Sequence, residues 1–340
     1  MEWILPGFLA LQEYLLTKLA GAFIPAFFIA GAVGAWVPKS FIVKYLSAGT
    51  KARISYPSAL IGGGLMSVCA CGILPLFQTI YQRGAGIGPA ITFLFAGPAI
   101  NVIAILYTFQ LLGPQMGIAR LLSVVILSLV IGLLFSVLFQ KDENKKMAKM
   151  ALIENNQSNK VKFLIVTLLM LMVFTLPLEN FAWKYKGTLN ITFLLLIFFC
   201  STKFISTEER EPWLEKSIFL LKSIVPKLLF GIFLVGVLTP HSKFILTKYL
   251  LDNSLLSCFI ASIIGSILYL GTIIGVVAVH GLSQMGMPDG PALSLLLSGP
   301  TIALPSMIVI MGVCGKKIGI LFLLSVIVFS SLAGYLYAII

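Results

Sequence analysis

Long apolar runs separated by short polar loops fill most of the 340-residue chain. Because about 20 apolar residues are needed to cross the hydrocarbon core of a bilayer, most of the runs are of spanning length. The pattern predicts an all-α integral membrane protein with about 8 full transmembrane helices plus re-entrant or broken segments. The runs fall at 21–37, 56–81, 88–110, 117–139, 161–178, 189–205, 222–240, 253–280, 290–313 and 317–340.

One apolar stretch occurs twice. Gly88–Ile100 reads GPAITFLFAGPAI, and Gly290–Ile302, 202 positions later, reads GPALSLLLSGPTI, with seven of thirteen letters identical. Repeated segments that interrupt membrane helices at matching places are typical of transporters. The duplication therefore predicts two internal membrane repeats.

The repeats divide the chain into three parts. Residues 1–140 form the first membrane repeat, 141–210 a polar linker with two joining transmembrane helices, and 211–340 the second membrane repeat. Glu13–Leu19 and Glu215–Leu221 precede the membrane segments of the two repeats. Both are predicted to be short amphipathic helices on the membrane surface.

Composition excludes a water-soluble domain of any size, since 59% of residues are hydrophobic, 11% are charged and the mean hydropathy is +1.04. A net charge of +12 would suggest nucleic-acid binding in a soluble protein. Here the basic residues lie between apolar runs, where they anchor loops and set orientation. We therefore predict a multi-pass protein of the cell membrane that binds no nucleic acid.

Loop charge favours an inverted arrangement of the repeats. If all ten runs cross fully, the 24 basic residues divide 13 against 11 between the two sides. If one segment per repeat enters and returns on the same side, they divide 18 against 6, as the positive-inside rule expects. The repeats then have opposite orientations and both termini lie outside. Whether 56–81 or 88–110 re-enters stays open, because the second choice gives 17 against 7.

The sharpest chemical signal is the pair Cys69 and Cys71, followed by Gly72 and Pro75. Side chains at i and i+2 point about 200° apart on an intact helix, so the thiols converge only where the helix is broken. Thiolates are soft ligands for Cu(I), Zn(II) or trivalent arsenic and antimony. The alternative is that cysteine serves as a small apolar residue at a crowded position.

The second repeat does not reproduce this pair, since Gly271 and Ile273 occupy the equivalent positions. The predicted metal or metalloid site is therefore asymmetric. Cys200, Cys258 and Cys314 are single cysteines in apolar runs, for which packing is the better explanation.

Gly97-Pro98 and Gly299-Pro300 lie at matched positions of the repeats. Proline frees a helix carbonyl and glycine permits close approach, so each pair is expected to break its helix and expose a half-helix N-terminus to a ligand. A packing kink is the alternative. Asn101 and Thr301 add polar groups at the same depth, which makes all these residues candidates for substrate binding.

Asp289 is the one acidic residue within the core of a repeat, and it is a candidate proton carrier. The alternative is an N-cap for a helix that begins at Pro291. His280 is a second proton-coupling candidate. The sequence contains no phosphate-binding loop, HExxH or GxSxG motif, so we expect neither an enzyme nor a bound cofactor.

The segments CACGILPLF, GIGPAITFLFAGPAIN and GPALSLLLSGPTI resemble the predicted-permease family that includes the ArsP-type organoarsenical efflux permeases. The resemblance implies export of a trivalent, thiol-seeking metal or metalloid, with Cys69 and Cys71 at the matching motif positions. A membrane thiol-disulfide oxidoreductase and a transporter or channel for a small anion or sulfur compound are the alternatives. The predicted partners are the lipid bilayer and a small inorganic or organometalloid substrate, and a homo-oligomer is left open.

Overall fold

The computed structural model describes residues 24–36, 39–66, 70–140, 205–250, 252–267, 272–302 and 304–339, with single positions at 12, 192 and 203. The linker, the two joining runs and Glu13–Leu19 lie outside these residues. Every element described is an α-helix, which confirms the predicted all-α class for this part of the chain. In the first half the helices are α1 (Ile24–Trp36), α2 (Lys39–Leu46), α3 (Ala52–Met66), α4 (Ala70–Gln82), α5 (Ile87–Ala99), α6 (Val102–Leu111) and α7 (Gly113–Leu138). In the second half they are α8 (Thr207–Tyr249), α9 (Leu255–Ile267), α10 (Thr272–Gln284), α11 (Asp289–Thr301), α12 (Leu304–Cys314) and α13 (Lys316–Ile339).

The helices of the two halves correspond at one constant spacing. Helix α5 begins at residue 87 and α11 begins at residue 289, 202 positions later. The turns match as well, because Gly84 and Gly286 have φ values of 110° and 101°, and Gly113 and Gly315 have 89° and 95°. The duplication therefore reaches from sequence to backbone conformation.

Each half is organised around one fully buried helix. Helix α5 packs between α3 and α7, and α11 packs between α9 and α13. All residues of α5 and all but the first residue of α11 are buried. Thr92 donates a hydrogen bond to the Ser128 carbonyl at 3.0 Å, and its equivalent Ser294 donates to Ser330 at 3.2 Å. Small and hydroxyl side chains thus allow close approach of apolar helices, as in other membrane proteins.

Several contacts between the halves are reciprocal, although α11 also packs on α7 without an equally extensive α5–α13 contact. Helix α4 packs against α12, and its counterpart α10 packs against α6, the counterpart of α12. The equivalent helices α5 and α11 contact each other, and so do α7 and α13, where Phe135 and Phe322 lie edge to face at 6.1 Å. This is the pattern that a two-fold relation between the halves would produce.

Helices α7 and α13 are long and apolar enough to span a membrane. Two bent helix pairs, α5 with α6 and α11 with α12, raise the number of candidate spans in the described residues to four if each pair is one span. Large apolar side chains on one face of α7, among them Ile118, Leu122 and Val137, are exposed as on a lipid-facing surface. A membrane protein is therefore supported, while the total of about 8 spans stays a prediction.

Helix α8 differs from the expectation of a short surface helix at Glu215–Leu221. That segment is the early part of one continuous helix of 43 residues. Its buried stripe packs on α1, where Trp213 Nε1 donates to the Phe28 carbonyl at 2.9 Å and the Trp213 ring lies 4.8 Å from that of Trp36. The segment is helical as predicted, and Ser217 within it is buried against Gly31 of α1, while Ile218 and Phe219 are exposed.

Candidate functional site

A helix break follows the Gly-Pro pair in each half. The axis bends by 50° between α5 and the Ala104–Leu111 part of α6, and by 55° between α11 and the Ser306–Cys314 part of α12. The two helices that lead into these breaks, α5 and α11, contact each other. The predicted interruptions at 88–110 and 290–313 are therefore present.

The position of each break differs slightly from the prediction. The helix continues through Gly97-Pro98 and Gly299-Pro300, because the next amides keep the helical pattern. Ile100 N donates to the Ala96 carbonyl at 2.8 Å, and Ile302 N donates to Ser298 at 3.1 Å. Each break thus begins one or two residues after its proline, and the half-helices that follow the breaks are α6 and α12.

The Gly-Pro segments are buried and closely packed. A Cβ atom built on Gly97 would lie 2.7 Å from Ile73 Cδ1, near the start of α4. A Cβ on Gly63 of α3 would lie 2.7 Å from the Phe93 carbonyl oxygen and 3.2 Å from Gly97 N. In the second half a Cβ on Gly265 would lie 3.1 Å from Gly299 N. The glycines of α3 and α9 therefore let these helices contact the backbone just before each break.

Asn101 and Thr301 both lie at the breaks and are buried. Asn101 Oδ1 accepts a hydrogen bond from Ala104 N at 3.1 Å, which caps the first turn of α6. Thr301 Oγ1 donates to the Leu297 carbonyl at 2.7 Å within its own helix. Their hydrogen bonds show how each break is stabilised, and direct contact with substrate stays a prediction.

The structure describes the side chains of some of the cysteines and not of others. Cys69 and Cys200 lie outside the described residues, as does the side chain of Cys71, whose backbone is the second residue of α4. Cys258 is buried in α9, and Cys314 is half-buried at the end of α12. The described side chains contain no cluster of three metal-ligating residues. The predicted thiol pair therefore stays a prediction.

Asp289 and His280 lie near the same end of the α10–α11 hairpin. His280 is half-buried, with its Nε2 3.0 Å from Gln284 Nε2, and Asp289 is exposed. The expected N-cap role of Asp289 is wrong, because α11 begins at Asp289 itself and Pro288 is its N-cap. The first-turn amide of Gly290 instead donates to Asn253 Oδ1 at 3.1 Å, a cap supplied from the loop before α9.

Arg120 is a buried polar residue that the sequence patterns did not identify as a candidate site residue. In the loop-charge count it was only one of the basic residues on the side of the membrane that has fewer of them. It is the eighth residue of α7 and is 0% exposed. Its Nη1 donates to Thr108 Oγ1 at 2.6 Å and to the Ala104 carbonyl at 3.3 Å. The available signal was a single basic residue within an otherwise apolar helix, which usually marks function.

One cavity of about 380 Å³ lies at the end of α4 remote from Cys71, lined by residues of α4, the following turn and α8. Burial lowers the pKa of Arg83 on its wall. The distance along α4 from Cys71 to Gln82 is about 16 Å at 1.5 Å per residue. This cavity is therefore separate from the start of α4. Its lining residues are Thr79, Gln82, Arg83, Glu215, Lys216, Phe219 and Leu220.

Comparison with known proteins agrees with this architecture. The ArsP_1 family model, described as predicted permease, matches residues 4–339. UPF0718 protein MJ0584 of Methanocaldococcus jannaschii is 38% identical over 344 residues, a match that covers 96% of this chain and 94% of the relative. No solved structure matches the chain. A chain of apolar helices that matches this family over nearly its whole length is a membrane permease, and it belongs to the ArsP_1 family of predicted permeases.

Proposed function

We propose that this permease is a secondary transporter that exports a soft metal or metalloid species, such as a trivalent arsenical, bound by Cys69 and Cys71 beside the broken helices. The observation that carries the proposal is the position of Cys71 in α4, two residues before Ile73, whose side chain contacts Gly97. The cysteine pair is thus close in sequence to a residue that packs on the first Gly-Pro segment. Family membership supports transport, and the soft thiol pair supports the substrate class.

Alternating access in the proposal uses the two halves as inverted repeats. Reciprocal packing of α4 with α12 and of α10 with α6 supports a two-fold relation, and loop charge supports opposite orientations. The breaks after Gly97-Pro98 and Gly299-Pro300 would absorb the change of helix direction. In the conformation described these segments are buried.

A proton gradient would drive export in this scheme, with Asp289 and His280 as the coupling groups. Their support is placement at the same end of the α10–α11 hairpin, where Asp289 is open to solvent. Asp289→Asn is expected to abolish the stimulation of export by an imposed pH gradient while leaving downhill equilibration intact. Equal stimulation in the variant and the wild type would remove Asp289 from the mechanism.

Uptake of trivalent arsenite into inside-out vesicles tests the substrate class directly. The Cys69→Ser/Cys71→Ser variant is expected to lose at least about tenfold in initial rate, because serine does not replace a soft thiolate ligand. Cys258→Ser and Cys314→Ser are the matched controls and should retain the rate. Undiminished uptake by the double variant would refute the thiol role. Transport that survives removal of all five cysteines but fails when Gly97 or Gly299 is enlarged would indicate a small anion or sulfur compound instead.

A further inference from the structure

Arg120 is a buried cation whose partners satisfy only one of its three nitrogens. Nη1 donates to Thr108 Oγ1 and to the Ala104 carbonyl, both on α6. Nε and Nη2 are buried and have no hydrogen-bond partner in the described part of the chain. Because an arginine side chain stays protonated in proteins, a full positive charge is enclosed between α6 and α7. The side of the guanidinium that carries Nε and Nη2 makes no hydrogen bond to the described residues.

The two unused nitrogens form one edge of the guanidinium. Nε–H and Nη2–H point in parallel along that edge, which is the geometry that accepts two oxygens of one carboxylate or oxyanion. The bonds from Nη1 to α6 hold the guanidinium plane in place. The side chain therefore presents a fixed, two-pronged donor.

No acidic side chain in the described part of the chain pairs with Arg120. Arg120 lies about 10 Å from the start of α7, a helix long enough to span the membrane. All twelve acidic residues of the sequence lie outside its ten apolar runs. Those whose side chains are described are exposed, namely Glu208, Glu211, Glu215, Asp252 and Asp289. Burial of an unpaired charge is costly, so a bound anion would stabilise this site.

We infer that the Nε–Nη2 edge of Arg120 binds a carboxylate or another small, singly charged oxyanion between α6 and α7. The site is present in one half only, because the equivalent position in α13 is Phe322. Arg120 connects to the first break through Thr108 and Ala104, whose amide Asn101 caps. Since the edge is covered in this conformation, the anion enters when α6 moves at that break.

Formate binding to the purified protein in neutral detergent tests the inference. The melting temperature is measured against sodium formate, with sodium chloride at equal ionic strength as the reference. Wild type is expected to show a saturable, formate-specific rise. Arg120→Lys keeps the charge but loses the two-pronged edge, so its apparent affinity should fall about tenfold or more. Arg120→Met should show no rise.

Two controls make the result specific. Arg83→Met removes an arginine outside the predicted spans and should behave as wild type. The Cys69→Ser/Cys71→Ser variant should also keep the rise, so that failure of the thiol proposal and failure of this one are distinguishable.

Several outcomes would overturn the inference. One is the absence of a formate-specific rise in wild type, and another is an equal rise in Arg120→Met. If Arg120→Met does not fold, Arg120→Lys decides, because unchanged affinity in that variant excludes a two-pronged contact. Stabilisation by phosphatidylglycerol and not by formate would assign the edge to a lipid phosphate and would also overturn it.

Discussion

At the scale of single residues, the glycine run of α3 offers the sharpest test of the packing around the first break. A Cβ on Gly63 would lie 2.7 Å from the Phe93 carbonyl oxygen, whereas a Cβ on Gly62 would meet its nearest atom, Phe93 Cε2, at 3.7 Å. Gly63→Ala is therefore expected to destabilise the protein by about 1–3 kcal/mol and to impair transport, because backbone must shift.

Gly62→Ala is the matched control for that prediction, since it adds the same methyl group one residue away. It should be neutral or raise the melting temperature, as alanine is the better helix former by up to about 1 kcal/mol. Thermal unfolding in detergent and vesicle transport measure both variants. Equal effects of the two substitutions would contradict the packing described between α3 and α5.

Individual residues show what can be predicted from sequence and what cannot. The Gly-Pro pairs are evident because their repetition is visible in the letters themselves. The predicted cap of α11 is wrong, because a cap from Asn253, 37 positions from Gly290, has no local signal. Arg120 does not stand out because a charge count treats every basic residue as a loop charge, and only packing shows that this one is enclosed.

At the scale of helices, the turn between α12 and α13 depends on a left-handed residue. Gly315 has φ of 95° and a Cβ added there would have no atom within 4 Å, so conformation alone opposes a side chain. Gly315→Ala should destabilise the protein by about 1 kcal/mol. Gly281→Ala, also in open space but in helical α10, should be neutral or stabilising. Melting temperatures compare the two, and a smaller loss at Gly315 than at Gly281 would contradict the role given to backbone conformation.

Docking of α8 on α1 gives a second prediction at this scale. Trp213 is 3% exposed and donates its indole N–H to the Phe28 carbonyl. Trp213→Phe keeps an aromatic ring but removes the donor, which leaves a buried carbonyl with one hydrogen bond fewer and should cost about 1 kcal/mol. Leu214→Phe, at an exposed neighbouring position, is the control and should leave the melting temperature unchanged.

Helix α8 also shows a limit of sequence patterns. The stripe that contains Trp213, Ser217 and Leu220 has helical spacing and is buried. The sequence pattern of such a stripe is the same whether the stripe faces lipid headgroups or another helix. The helix itself was therefore predictable, while its length and its partner required the three-dimensional contacts.

For the whole molecule, the duplicated sequence predicted more than any single motif. The constant spacing of 202 residues carries over to the starts of α5 and α11, the left-handed glycines and the hydrogen bonds of Thr92 and Ser294. The exchange of partners, α4 with α12 and α10 with α6, was not predictable, because a repeat in sequence does not specify which surfaces meet. Those contacts, and not the repeated sequence alone, support a two-fold relation between the halves.

Inversion of the repeats is tested by the sidedness of two equivalent positions. Gln115 at the start of α7 and Lys317 at the start of α13 are both exposed and are 202 residues apart. Loop charge places Lys317 inside and Gln115 outside. A membrane-impermeant maleimide, scored against the parent protein, should therefore label Gln115→Cys in intact cells and Lys317→Cys in inside-out vesicles. Repeats of the same orientation would instead expose both cysteines on one side, and alternating access by inverted halves would then be ruled out.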